Sequence, residues 1–192
     1  MSMSTTLDER LNQILPRITS PEFLANKGLG NEIGFWIFDY PPERELDMRA
    51  FVSGVVVPAL EKASVKAAEV NLFEMLIGLL EDRKLLDRAI EMQATKGDDA
   101  ALAALRSVLK EDKLAQRITE QVKVDELQLL ILTGVGAAYP MLRSHTLLSA
   151  LHSVMKSTPL LMFYPGRYDG FSLRLFNKLA DDHYYRAFRL VE

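Results

Sequence analysis

The stretch Leu127-Gln128-Leu129-Leu130-Ile131-Leu132-Thr133, running into Gly134-Val135-Gly136, constrains the fold more than any other part of this chain. It is nearly all apolar, short, and bounded by turn residues. That is the pattern of a β-strand covered on both faces rather than of a helix with one wet side. Strands of this kind belong to sheets with a layer packed on each side, the arrangement of parallel α/β proteins. Ile33-Gly34-Phe35-Trp36-Ile37-Phe38-Asp39, stopped by Pro41-Pro42, has the same character. So does Leu160-Leu161-Met162-Phe163-Tyr164, which ends at Pro165-Gly166.

Between these runs the apolar spacing turns helical. Leu7–Leu15 reads as an amphipathic helix, and Ser20-Pro21-Glu22 as a helix start with Ser at the cap and Pro at the first position. Lys27–Asn31 reads as a turn. Helices are expected over Glu43–Ser64, Ala138–Met155 and Phe171–Ala180, with a weak strand at Ala68–Leu72 and a last one at Tyr184–Leu190. From Phe73 to Lys123 the pattern is helical with a break at Gly97-Asp98-Asp99, too long for a single crossover. The expected fold is therefore one α/β domain over 1–192. It has three layers: a mostly parallel sheet of about five strands, helices on both faces, and a helical insertion at 73–123 between the second and third strands.

The chain has 192 residues, 48% apolar and 26% charged, enough to bury a core without cross-links. It contains no Cys, which excludes thiolate nucleophiles, Cys-ligated zinc, iron–sulfur clusters and disulfides. No apolar run approaches the ~20 residues of a membrane span, and the polar start Met1–Arg10 lacks the shape of a signal peptide. A cytoplasmic protein with no membrane contact is the expectation. Net charge is −3, with residues 1–140 at −6 and 141–192 at +3. Nine of the sixteen aromatics also fall in Tyr139–Glu192, so this basic, aromatic third is either core with a solvated rim or a surface for phosphates or an acidic partner.

Short motifs give little chemistry. Gly134-Val135-Gly136 lies where a phosphate loop would, but Tyr139 stands where a dinucleotide fingerprint wants Gly or Ala, and no Gly-x-x-x-x-Gly-Lys occurs. These glycines read equally as a tight strand-to-helix turn. His145 and His152, seven apart, place their rings about 10 Å apart along a helix, too far to share an ion, and read as structural. Asp181-Asp182-His183 is the one dense cluster; an acidic cap explains it as well as a cation does. Ser144 and His145 are helix neighbours pointing apart, and no Gly-x-Ser-x-Gly elbow presents a serine. No catalytic residue, metal site or cofactor is expected.

In an open α/β sheet a ligand or partner meets the crevice at the strand C-termini. That edge gathers Asp39, Tyr40, Gly134, Gly136, Pro165, Gly166 and Arg167, and the crevice candidates there are these apart from Pro165, together with Arg143, His145 and Tyr168. Asp39, Arg143, His145, Arg167 and Tyr168 are the first candidates for functional side chains. The structural alternatives are a helix-entry cap for Asp39 and an internal ion pair for Arg143.

Five ordered blocks carry a resemblance: Gly28–Ile33 through Trp36–Tyr40, Leu132–Gly136, Tyr139–His145, Phe163–Gly170 and Asp182–Phe188. Together, over about Leu7 to Val191, they resemble the BrxB family, the small core component of BREX (bacteriophage exclusion) systems. The resemblance implies phage defence, in systems that pair adenine methylation of host DNA with a block on unmodified phage DNA. It implies partners that carry the chemistry, a PglZ-type protein first, a BrxC-type ATPase second, and a PglX-type methyltransferase. It implies an adaptor without catalytic activity, whose DNA contact is indirect or weak. A nucleotide- or phosphate-sensing domain is the alternative, and DNA contact through the basic C-terminal third is a third reading.

Overall fold

The computed structural model describes residues 6–26, 34–155, 157–181 and 187–192, with the Asp181 side chain left aside. Its centre is a seven-stranded open sheet in a mixed α/β fold. Strands β1 (Phe35–Tyr40), β2 (Ala67–Asn71), β3 (Leu129–Thr133), β4 (Leu160–Tyr168) and β7 (Phe188–Arg189) run in the order β2-β3-β4-β1-β7. Every pairing along that order is parallel, with Phe35 beside Leu160 and Tyr40 beside Pro165. Strands β5 (Leu173–Leu175) and β6 (Leu179–Asp181) fold back antiparallel from the end of β4.

The alternation of side chains along a strand explains why the central runs are apolar throughout. Phe35, Ile37, Leu130, Leu132, Leu160 and Met162 face one core, while Trp36, Phe38, Leu129, Ile131, Leu161 and Phe163 face the other. The first core is closed by α5 (Leu72–Asp82), α8 (Glu111–Val122) and α10 (Ser144–His152), through residues such as Leu76, Ile118 and Leu147. The second is closed by α1 (Leu7–Ile18), α2 (Pro21–Leu24), α3 (Glu45–Phe51) and α4 (Val57–Lys62), through Ile14, Phe23, Met48 and Leu60. Two further helices, α6 (Leu86–Lys96) and α7 (Asp98–Leu105), complete the four between β2 and β3. Strand β2 lies at the sheet edge with Glu69 exposed, which is why its apolar signal is weak.

Helix starts follow local chemistry. Thr6 and Glu9 form a reciprocal capping box on α1. Ser20 accepts the Phe23 N–H, and Pro21 takes the first position of α2 as expected. Asn71 accepts the Phe73 and Glu74 N–H groups at the start of α5.

Several expectations are corrected. The sheet has seven strands, not about five. The helix expected over Ala138–Met155 is two, α9 (Val135–Ala138) and α10, because Tyr139 before Pro140 is extended at φ −72° and ψ 139°. The helix expected over Phe171–Ala180 is strands β5 and β6, since Leu173 and Leu175 are buried while Arg174 between them is exposed, a period of two. Strand β4 does not stop at Pro165-Gly166 but continues to Tyr168. The helix expected over Glu43–Ser64 is broken into a short 3-10 turn at Pro42–Arg44, α3, a π-helical segment Val52–Val56 and α4, ending before Ser64 at φ 57°. The Lys27–Asn31 turn, Ile33, Asp182, His183 and the Tyr184–Arg186 part of the last strand lie outside the described residues.

Candidate functional site

Strands β1 and β4 run parallel inside the sheet and end side by side, with Tyr40 beside Pro165. The gap between the ends of β1 and β4 is thus the place where an open α/β sheet usually holds its ligand. Here it is filled. Asp39, next to last in β1, is only 7% exposed. Its Oδ1 takes a hydrogen bond from Arg10 Nη2 at 2.6 Å, and its Oδ2 takes one from the Tyr168 backbone N–H at 2.9 Å. Arg10 also donates to the Asp39 carbonyl at 2.8 Å and the Val191 carbonyl at 3.3 Å, and Arg189 Nη2 lies 3.9 Å from Asp39 Oδ2. The Arg10 guanidinium stacks 4.7 Å from the centre of the Phe38 ring. One carboxylate therefore ties α1, β1, β4 and the C-terminal segment together, and Asp39 is not a helix-entry cap.

Its neighbours are committed in the same way. Tyr40 is buried and donates to Glu45 Oε2 at 2.6 Å. Burial first, and then the Glu45 carboxylate, push its phenol above the ordinary tyrosine range, so it stays protonated. Tyr168 is fully buried, its hydroxyl 2.7 Å from the Ala187 carbonyl and 3.0 Å from that of Gly170.

The glycines serve close packing. Gly134 sits at φ 69°, and a β-carbon there would collide with the Asn71 amide that caps α5. A β-carbon on Gly136 would press into Phe176 and Pro165. The following α9 is a single turn of four residues, so no long helix points its N-terminus at this loop.

Arg143 and His145 do come together, with Ser144, at the start of α10. They line a cleft of ≈ 510 Å³ with Tyr139, Tyr164 and Lys178 among its walls. Arg143 is exposed and also borders a second depression of ≈ 340 Å³ with Arg106 and Glu111. It is not an internal ion-pair partner among the described residues. His152 packs its ring edge-on to Phe35 at 5.4 Å, a structural position. Gly166 and Arg167 belong to the β4–β5 hairpin, where Arg167 is exposed. The nine candidates thus divide between a buried clamp (Asp39, Tyr40, Tyr168), packed turns (Gly134, Gly136, Gly166) and three outer side chains (Arg143, His145, Arg167).

Spacing along the chain did not reveal Arg10, Lys178 or Glu45. Arg10 left a trace: it stands four and eight residues before Ile14 and Ile18, on the buried stripe of α1, where a cation needs a buried carboxylate. Among the described residues no group of three or more His, Asp or Glu side chains converges as metal ligands, and no helix is long and apolar enough to cross a membrane.

Comparison with known proteins places these features in a family. A family model described as "BREX protein BrxB" matches residues 68–190. A "BREX protein BrxB" of Bacillus cereus (strain H3081.97) is 42% identical over 190 residues, covering 97% of this chain and 98% of its own. Another of the same description, from Escherichia coli O9:H4 (strain HS), is 43% identical over 185 residues, covering 96% and 92%. No solved structure matches the chain. The chain belongs to the BrxB family of BREX proteins.

Proposed function

We propose that this chain is a non-catalytic, cytoplasmic adaptor of a BREX phage-defence system, which docks a PglZ-type component first and a BrxC-type ATPase second. A PglX-type methyltransferase is a further partner in this reading, and DNA contact is indirect. The observation that carries the proposal is the closed strand edge: Asp39 spends its carboxylate on Arg10 and the Tyr168 N–H, inside a 7% exposed site. A carboxylate buried and held by two donors in this way is committed to the fold. In this reading the five parallel strands are the structural layer, and the segment 73–123 is a helical insertion that offers docking surface. Its helix α6 buries no residue and leaves Ile90 exposed. A standard interface buries ~1,600 Å² in total, about 800 Å² on each partner.

The test is co-purification of the tagged chain from a complete BREX operon. Recovery of the PglZ-type protein supports the adaptor; loss of every BREX component under gentle salt overturns it.

The cleft beside Arg143, Lys178 and His145 favours a second reading, in which an anion such as a nucleotide phosphate is sensed there without a Walker lysine. Thermal-shift measurement with ATP, GTP and cyclic nucleotides separates the two. A flat response at millimolar ligand leaves the sensing idea without support.

A further inference from the structure

Tyr168, Leu173 and Leu175 turn inward from the β4–β5 hairpin to the core. Arg167 and Arg174 face each other in its register and therefore turn outward together. Both are exposed, and among the described residues neither has a carboxylate within ion-pair distance. Like charges placed directly opposite repel and weaken a strand pair. The row continues onto β6 with Ala180, paired with Arg174 and too short to cover it.

Hydrogen bonds near and far in sequence also hold this hairpin. The Asp39 carboxylate receives the Tyr168 N–H at 2.9 Å, across 129 positions of sequence. Asp169 closes the turn by accepting from the Phe171 N–H, the Ser172 N–H and the Ser172 hydroxyl at 2.9, 2.7 and 2.9 Å. Gly166 admits the Arg174 carbonyl to a closeness that no side chain would permit. The same turn carries Phe171, 68% exposed. Two guanidiniums are thus displayed side by side on a fixed frame, and the turn of the same hairpin exposes Phe171.

We infer that this hairpin face receives an acidic segment of a protein partner, with Arg167 and Arg174 forking onto its carboxylates and Phe171 seated beside them. The inference rests on the adaptor reading, and names the chemistry such a partner must offer. Bidentate guanidinium–carboxylate pairing is the strongest charged contact available to these side chains. Arg with an aromatic residue is also the composition of protein-interface hot spots. A nucleic acid fits less well, since its affinity grows with the number of phosphates met by cations. This face offers two cations, on a chain of net charge −3.

The test uses the full chain carrying Arg167→Ala and Arg174→Ala together. With the tag in a complete BREX operon, the double variant is expected to capture at least tenfold less of the component that the wild type captures. Its melting temperature should be unchanged or slightly raised, because a repulsive pair is gone. The purified chain is expected to bind a hexaglutamate peptide at least tenfold more tightly than the double variant does, and Arg167→Lys with Arg174→Lys to restore part of that binding. Equal capture by wild type and double variant overturns the inference and leaves the adaptor standing. So does hexaglutamate binding that is absent or indifferent to the substitution. Tighter binding of a twelve-nucleotide single-stranded DNA through the same arginines assigns the face to nucleic acid and also overturns it. If the wild type captures no BREX component at all, the adaptor reading fails and this inference falls with it.

Discussion

Replacing Asp39 by Asn tests the clamp most directly, because it removes a charge and one acceptor while keeping the shape. Arg10 Nη2, now 2.6 Å from a carboxylate oxygen, would donate to a neutral amide oxygen instead. Arg10 stays a cation, so that bond remains charge-assisted, but the charge–charge attraction at this partly exposed site is lost, a cost of roughly 1 kcal/mol. The other oxygen becomes an NH₂ group facing the Tyr168 N–H, which is held at 2.9 Å. A buried donor left without an acceptor costs about 1–3 kcal/mol. The sum is about 2–4 kcal/mol, below the ~3–5 kcal/mol of a fully buried pair because the two side chains remain 15% and 10% exposed. In a domain of this size each kcal/mol shifts the melting temperature by about 2–4 °C, so a fall of about 4–16 °C is expected. Urea unfolding of the variant, of Arg10→Met and of the double variant should show strong coupling between the two positions. A change under about 0.5 kcal/mol, with loss of phage restriction, would refute the reasoning and return Asp39 to the list of ligand-binding groups.

Other expectations follow from the same geometry. Arg143→Ala, at an exposed position on two depressions, should leave urea stability within about 0.5 kcal/mol of wild type while lowering phage restriction measured as plating efficiency. Gly134→Ala should cost about 2–4 kcal/mol, from the φ of 69° and from displacing the Asn71 cap, read as a lower urea midpoint. The two Asp169 hydrogen bonds from backbone N–H groups and the one from the Ser172 hydroxyl lower its carboxyl to about 2 from an ordinary 3.8. The folded value being the lower one, the stability it contributes is present above about pH 4 and is lost as pH falls toward 2. A carboxyl ¹³C titration with its midpoint near 4 instead would contradict this, as would an Asp169→Asn variant whose acid sensitivity matches the wild type.

The sheet was legible where apolar residues feed both faces. Phe35 to Phe38 and Leu129 to Leu132 leave no polar side, and no amphipathic helix can be drawn through them. The capped starts at Ser20-Pro21 and the end of α9 before Pro140 are local chemistry, although the second was read through as helix. The β5–β6 hairpin was not legible, because three residues of alternation at Leu173–Leu175 look the same as part of a helical turn. The part of β4 on which β5 pairs is held at Tyr168 by Asp39, far away in sequence. The clamp was hidden for the same reason: Arg10 and Asp39 are 29 positions apart, and no spacing rule joins a helix cation to a strand carboxylate. Membership in a ladder, a clamp or a hairpin is settled by pairing in space, which a linear pattern reports only when both partners are strongly marked.

Strand β4 has a mechanical consequence. Its nine residues lie beside β1 and β3 over the first part and beside β5 over the last three, along one uninterrupted backbone. Tension applied at the hairpin tip travels down that strand and loads the rungs on both flanks together, in shear, instead of peeling them one after another. Single-molecule pulling from the hairpin should therefore find the domain stiff up to the point where the whole layer gives way.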